Sequence, residues 1–204
     1  MSSVGTIDVS RETIRRLEVF ADELQRWQSV KNLVGRGTLS DIWQRHVEDS
    51  LQLAPLIAQN GRWLDLGSGA GFPGLVVAIA RRDDGVRMTL VESNARKCAF
   101  LRHVARVTET PVTVLSDRVE AVVPGLAGTV DVVSARALAP LSTLLDWVEP
   151  LLKTGAKAVF PKGKDVHSEL TEARKLWTFE PDILPSATDP DARILVISSI
   201  EPRS

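Results

Sequence analysis

The chain reads as an α/β protein: a mostly parallel sheet with an antiparallel last strand, preceded by N-terminal helices. Three observations carry that reading. From Arg62 onward, short apolar runs alternate with stretches of helical period, the pattern of βαβ units. The first of these runs ends in an acid and a glycine-rich turn, Trp63-Leu64-Asp65-Leu66-Gly67-Ser68-Gly69-Ala70-Gly71-Phe72-Pro73-Gly74, which opens directly into a helix. The last two strand candidates are joined by a turn-rich stretch with no helix between them, so the final strand should run against the others.

Taken in order, residues 10–28 have a helical rhythm, with Ile14, Leu17, Ala21, Leu24 and Gln28 at three- and four-residue steps and Phe20 and Trp27 beside them. Ser10 is the expected N-cap, with Thr13 three residues on, half of a capping box. Residues 31–37 read as a loop. A second helix is predicted over 40–59, with Ile42, Val47, Leu51, Ala54 and Ile57 on its apolar side and Pro55 kinking or splitting it. Strands are then predicted at 62–66, 88–92, 112–115, 130–135, 157–161, 182–184 and 194–200. Helices are predicted at 74–81, 94–107, 118–123, 140–151 and 165–176. Residues 1–60 are expected to be a helical extension packed on a core of residues 61–204, the two forming one unit.

Composition sets outer bounds. With 204 residues, 44% of them hydrophobic, the length suits one domain with a real core. Cys98 is the single cysteine, which excludes an internal disulfide and any thiolate metal cluster and fits a reducing, cytoplasmic setting. The three histidines, His46, His103 and His167, are far apart and give no metal signature. No basic-then-apolar leader opens the chain and no apolar run approaches ~18 residues, so neither export nor a membrane partner is expected. The formal net charge is −1, so nucleic-acid binding would have to come from a local patch.

The glycine turn admits two cofactors. Gly69 to Gly74 fits the dinucleotide spacing G-x-G-x-x-G. Asp65-Leu66-Gly67-Ser68-Gly69-Ala70-Gly71 fits the S-adenosylmethionine loop, in which an acid precedes alternating glycines. The acid favours the second: a carboxylate repels a pyrophosphate, whereas the methionyl ammonium and the sulfonium are attracted to it. A nicotinamide or flavin dinucleotide remains the alternative. Glu92, ending the next strand, stands where doubly wound folds place an acid on ribose hydroxyls, unless it is only a solvated strand-end acid. Asp117 and Glu120 follow the third strand, in the region that borders an adenine; a helix N-cap and first turn is the competing reading.

These features look like a class I methyltransferase, and the resemblance narrows further. Asn32-Leu33-Val34, Arg45-His46-Val47-Glu48-Asp49-Ser50-Leu51, the glycine block, Ser134-Ala135-Arg136-Ala137 and Pro161-Lys162-Gly163 occur in the order of the RsmG (GidB) family. The resemblance covers about residues 27–164. It implies a seven-stranded sheet, S-adenosylmethionine as cofactor, and methylation of N7 of a guanine in 16S ribosomal RNA of the bacterial small subunit, with the 30S particle or its precursor as partner. Carried over by position, the family's donor site falls on Gly67, Phe72, Val119, Glu120 and Arg136. The sequence departs from the family in having Glu92 where Asp is common and Asp117 where a small polar residue is common.

The rest of the sequence fits a reaction without a base. There is no tyrosine, so no Asn/Asp-Pro-Pro-Tyr segment serves an exocyclic amine, and Cys98, in a predicted helix, reads as packing. Guanine N7 already carries a free lone pair, so alignment suffices. Arg136 is the candidate catalytic residue, holding the guanine or the donor's carboxylate; an Arg fork on O6 and N7 together would block the nucleophile. His46 and Asp49, three apart on one helix face, are candidates for holding a base or phosphate, or form a simple surface hydrogen bond. Lys162 and Lys164, beyond a strand end, are the better candidates for RNA phosphates; the 94–107 helix, with Arg96, Lys97, Arg102, His103 and Arg106, is the other basic cluster. The protein is expected to act as a monomer. A small-molecule methyltransferase and a nicotinamide-dependent oxidoreductase are the competing functions.

Overall fold

The computed structural model describes residues 2–4, 7–31 and 42–203. A small antiparallel ribbon comes first, β1 (Ser2–Val4) against β2 (Ile7–Val9). Helix α1 (Arg11–Lys31) follows, and Ser10 Oγ accepts the Thr13 N–H at 3.0 Å, the cap expected from the sequence. The Asn32-Leu33-Val34 motif, the 31–37 loop beyond Lys31 and the predicted helix start at Ser40 lie outside the described residues. The second predicted helix is not one α-helix. It is a π-helical turn (Trp43–Glu48), a single α turn α2 (Asp49–Leu51) and a 3-10 turn (Ala54–Leu56) that places Pro55 in its first turn. Ser50 Oγ donates to the His46 carbonyl at 2.6 Å, a side-chain bond that competes with the regular backbone ladder. Its apolar side holds as expected: Ile42, Val47, Leu51, Ala54 and Ile57 are all buried.

Beyond Arg62 the alternation is regular: β3 (Arg62–Leu66), α3 (Gly74–Ala80), β4 (Arg87–Val91), α4 (Ala95–Val107), β5 (Val112–Leu115), α5 (Val119–Val122), β6 (Val132–Ala135), α6 (Leu141–Leu152), β7 (Lys157–Lys162) and α7 (Val166–Ala173). The short β8 (Trp177–Thr178) later pairs with β11 (Glu201–Pro202), and β9 (Asp182–Pro185) forms a hairpin with β10 (Arg193–Ile197). The main sheet has seven strands in the order β5-β4-β3-β6-β7-β10-β9. β10 runs antiparallel to both neighbours, as the hairpin ending implied, and β3 through β7 are parallel. Several boundaries differ by a few residues. β4 begins one residue earlier than predicted, which leaves Glu92 just past its end; β7 runs on to Lys162; α7 stops at Ala173.

Strand alternation sends side chains to two apolar layers. Trp63, Met88, Leu90 and Val132 face a layer made with α1, α3 and α4, where Leu17, Phe20 and Leu24 of α1 pack with Leu75 and Phe100. Leu64, Leu66, Val133 and Phe160 face the other layer, built by α6 and α7. Because β4 lies on one side of β3 and β6 on the other, the strand order reverses at the β3–β6 pair. The carboxyl ends of those two strands therefore flank a crevice, the usual ligand position in an open α/β sheet.

Candidate active site

The crevice is built on a buried polar chain. Trp63 Nε1 donates to Ser134 Oγ at 2.8 Å, Ser134 Oγ donates to Asp65 Oδ1 at 2.6 Å, and Asp65 Oδ2 accepts the Gly74 N–H at 3.2 Å. The chain ties β3 to β6 and pins the start of α3 beneath the glycine turn. Asp65 is fully buried, so no ligand can touch its carboxylate. The sequence set this acid beside a cationic ligand; the structure corrects that to a brace under the loop, contributing at most a nearby charge.

Burial pushes the Asp65 carboxyl up to about 6, against the pull of the hydrogen bonds from Ser134 and Gly74 and of the Arg136 charge. A folded-state value above the unfolded one means stability present below the unfolded value of 3.8 and lost as pH rises through about 6. Asp65→Asn removes this titration. The unfolding free energy of the variant, relative to the parent, is expected to rise by on the order of 3 kcal/mol between about pH 4 and 7 and then level off. Urea titrations across that range check this; a difference that stays flat with pH shows an ordinary carboxyl.

Above the brace the loop turns through three positive-φ glycines, Gly67 (63°), Gly69 (57°) and Gly71 (100°), a backbone that L side chains rarely adopt. They do different work. Gly67 lines a cleft of about 290 Å³, and the side chain of Leu138 fills the space a Cβ would take. Gly69 donates its N–H to Glu92 Oε2 at 2.9 Å. Gly71 is buried against Leu75 and Phe20, shaping the turn without facing the cleft. Phe72 is likewise buried, with ring centroids 5.2 Å from Phe20 and 5.0 Å from His46 and the Arg136 guanidinium 5.1 Å from its own centroid. Its side chain is therefore a platform under Arg136 and not a wall of that cleft.

Glu92, Asp117, Val119 and Glu120 come together in the cleft, with Ala137 and Leu138 opposite. Glu92 is nearly buried; besides Gly69, its Oε1 accepts the Asn94 N–H at 2.8 Å, and each oxygen keeps a second lone pair for a hydroxyl donor. Asp117 does not cap α5. Its Oδ1 accepts the adjacent Arg118 N–H at 2.7 Å, and Arg118 is the N-cap residue. Three carboxylates on one small cleft suit hydroxyl and amino donors and oppose a pyrophosphate. Cys98 is buried with its thiol donating to the Glu92 carbonyl at 3.0 Å, a packing role as expected.

A second, larger cavity of about 600 Å³ adjoins the first, and Ala137 lines both. Arg45, Asp49, Gln52, Arg136, Lys162 and Arg193 contribute its polar wall. Arg136 follows β6 and pairs with Asp49 Oδ2 at 3.2 Å. Burial and the neighbouring Arg136 hold the His46 imidazole below its usual pKa, so it is neutral at pH 7. Neither ring nitrogen is solvent-exposed or hydrogen-bonded among the described residues.

Two RNA candidates change meaning. Lys162 is buried and paired with Glu169 Oε2 at 2.6 Å, with a weaker bond to the Ala139 carbonyl, because β7 extends through it and carries its ammonium inward. It is not a free cation for a phosphate, whereas Lys164, in the following turn, is exposed. Asp49 spends most of its accepting capacity within the protein, with two donors on Oδ1 and Arg136 on Oδ2. On α4, Arg102 donates to the Val114 carbonyl and His103 pairs with Glu23, while Arg96 stays exposed. The sequence missed the far wall of the larger cavity, Ser186 to Ile194, and its partner Gln52. The polar, turn-rich run after β9 was its only signal.

The sheet order, with a cleft at the ends of β3 and β4 and a second cavity beside β6, defines the fold of S-adenosylmethionine-dependent methyltransferases. Solved structures agree at the level of fold. A SAM-dependent methyltransferase from Aquifex aeolicus superimposes with a TM-score of 0.58 at 13% identity, over 87% of this chain and 97% of that one. An O-methyltransferase from Bacillus cereus in complex with SAH gives 0.57 at 11% identity, over 88% and 90%. The family model described as rRNA small subunit methyltransferase G matches residues 13–193, and the chain belongs to that family. A ribosomal RNA small subunit methyltransferase G from Methylobacterium radiotolerans is 56% identical over 192 residues, 94% of this chain and 90% of the relative.

Proposed function

We propose that this protein transfers a methyl group from S-adenosylmethionine to N7 of a guanine in 16S ribosomal RNA, acting as a cytoplasmic monomer on the 30S particle or its precursor. The observation that supports the reading most is the place of Arg136 and Ala137. Ala137, just past the end of β6, lines both a small acid-lined cleft and a larger cavity whose wall carries arginines, and Arg136 beside it lines the larger one. A donor in the first and a base in the second would meet at that shared wall.

The residues of the small cleft fit the donor. Glu92 and Asp117 offer acceptors for vicinal hydroxyls and an amino group, and Val119 and Leu138 offer apolar contact. When bound there, S-adenosylmethionine supplies an electrophilic methyl. On the acceptor side nothing needs deprotonating, because the N7 lone pair is already nucleophilic. The protein's task is alignment, worth several orders of magnitude when the reacting atoms are held at contact distance. Arg136 spends Nη1 on Asp49, and its Nε and Nη2 donors have no partner among the described residues. One of them suits guanine O6, leaving N7 unblocked. Arg45, exposed and lining the larger cavity, and the exposed Lys164 would suit phosphates.

Thermal unfolding tests the donor assignment. S-adenosylhomocysteine at 100 times its dissociation constant is expected to stabilise the fold by about 2.7 kcal/mol, a rise of a few degrees, and NAD to have no effect. Stabilisation by NAD alone would favour an oxidoreductase. Radiolabelled methyl incorporated into small-subunit RNA, and not into small-molecule acceptors, is the expected result for the acceptor.

A further inference from the structure

Asp49 stands where three separate parts of the chain meet. Its Oδ2 accepts from Arg136 Nη1 at 3.2 Å. Its Oδ1 accepts from Thr188 Oγ1 at 2.9 Å, in the β9–β10 turn, and from Gln52 Nε2 at 2.8 Å. Gln52 closes the same contact: its Nε2 also donates to Ser186 Oγ at 3.2 Å, and its Oε1 accepts the Ala187 N–H at 2.8 Å. All of these but Ala187 line the larger cavity, and the Arg136 and Asp49 side chains are each only 19% exposed. A guanidinium so placed has many rotamers to choose from unless a fixed carboxylate selects one. Here the selection is made by an acid that the turn and Gln52 hold still.

We infer that Asp49 is a positioning residue: it fixes the Arg136 guanidinium over Phe72 on the wall of the larger cavity, and it anchors the β9–β10 turn as the far wall of that cavity. One carboxylate thus couples the order of that wall to the aim of Arg136. The turnover arm of the test rests on the function proposed above; the spectroscopic arm does not.

Asp49→Asn separates the two duties. An amide oxygen still accepts from Thr188 and Gln52, but the amide nitrogen cannot accept from Arg136, so donor faces donor. The variant is expected to lower kcat by about 10- to 100-fold, the scale of a misplaced reacting group, with KM for the particle changed less than about threefold. In 15N spectra, with the signals assigned through Arg136→Lys, the wild-type Nη1 and Nη2 resonances are expected to be resolved, because the ion pair slows rotation of the guanidinium. They should merge in Asp49→Asn. Resolved signals in the variant, averaged signals in the wild type, or an unchanged kcat would each overturn the inference. So would an equal loss of kcat from Asp49→Asn in an Arg136→Lys background, since Asp49 would then act without Arg136. If the wild type transfers no methyl to the particle while the resonances respond as expected, the proposed function fails and the positioning role stands. Because the wild-type spectrum is itself decisive, a variant that does not fold leaves the inference open to refutation.

Discussion

Arg136→Ala is expected to lower methyl transfer by at least about 100-fold, roughly 2.7 kcal/mol of transition-state stabilisation, in a protein that stays folded and still gains stability from S-adenosylhomocysteine. The loss follows from geometry. Arg136 lines the larger cavity, next to Ala137, which both cavities share; one nitrogen is on Asp49, the others are unpartnered among the described residues, and its guanidinium rests on the Phe72 ring. Alanine removes the donor set that the proposed function assigns to the guanine. It also leaves the partly buried Asp49 carboxylate without its cation, but Thr188 and Gln52 still bond it, so the stability loss should stay near 1–2 kcal/mol. Arg136→Lys keeps the charge without the planar fork and should fall between the two. Methylation rates on undermethylated small-subunit particles, alongside melting curves, measure both effects. Near-normal turnover in Arg136→Ala would remove Arg136 from the catalytic role.

The second large effect has the opposite sign to what helix propensity alone suggests. Gly74 opens α3, where alanine would ordinarily stabilise by up to about 1 kcal/mol. A Cβ at Gly74 would lie 2.6 Å from Asp65 Cβ, 2.6 Å from Asp65 Oδ2 and 2.6 Å from Leu90 Cδ2. These atoms belong to the buried brace and to a fully buried leucine, so they cannot simply swing away. Gly74→Ala is therefore expected to destabilise by about 1–3 kcal/mol, the range for an overpacked core, and to weaken S-adenosylhomocysteine binding by misaligning the turn. Gly125, with nothing within 4 Å of the same added atom, is the control, and Gly125→Ala should change stability little. Urea midpoints decide it; a stabilised Gly74→Ala would mean that the helix start is not pressed against Asp65.

The fold was legible because its signals are periodic and local. Each strand of the 62–162 region is a short apolar run closed by a turn, and the missing helix before β10 disclosed the antiparallel strand. The 42–56 segment was misread because its apolar spacing fits a helix while Ser50 bonds back to His46 and Pro55 ends the ladder, effects that hydrophobic period does not register. In the site, residue types were clear and their partners were not. Asp65 was marked as important by its place before the glycines, but its partner Ser134 lies 69 positions on, reached only through the β3–β6 register. Lys162 looked like a free cation until Glu169, one helix further along, took its ammonium. Asp49 and Gln52 meet Thr188 and Ser186 across more than 130 positions, a contact no spacing rule anticipates.

The most direct test of the central claim is the position of the transferred methyl. Purified protein, S-adenosylmethionine and small-subunit particles from cells lacking this methylation are incubated, and the RNA is cleaved chemically at 7-methylguanine. A single new cleavage at one guanine of 16S ribosomal RNA, absent without enzyme and lost with Arg136→Ala, is the expected result. Methyl incorporation at any other atom, or none in the presence of a protein that binds S-adenosylhomocysteine, would contradict it.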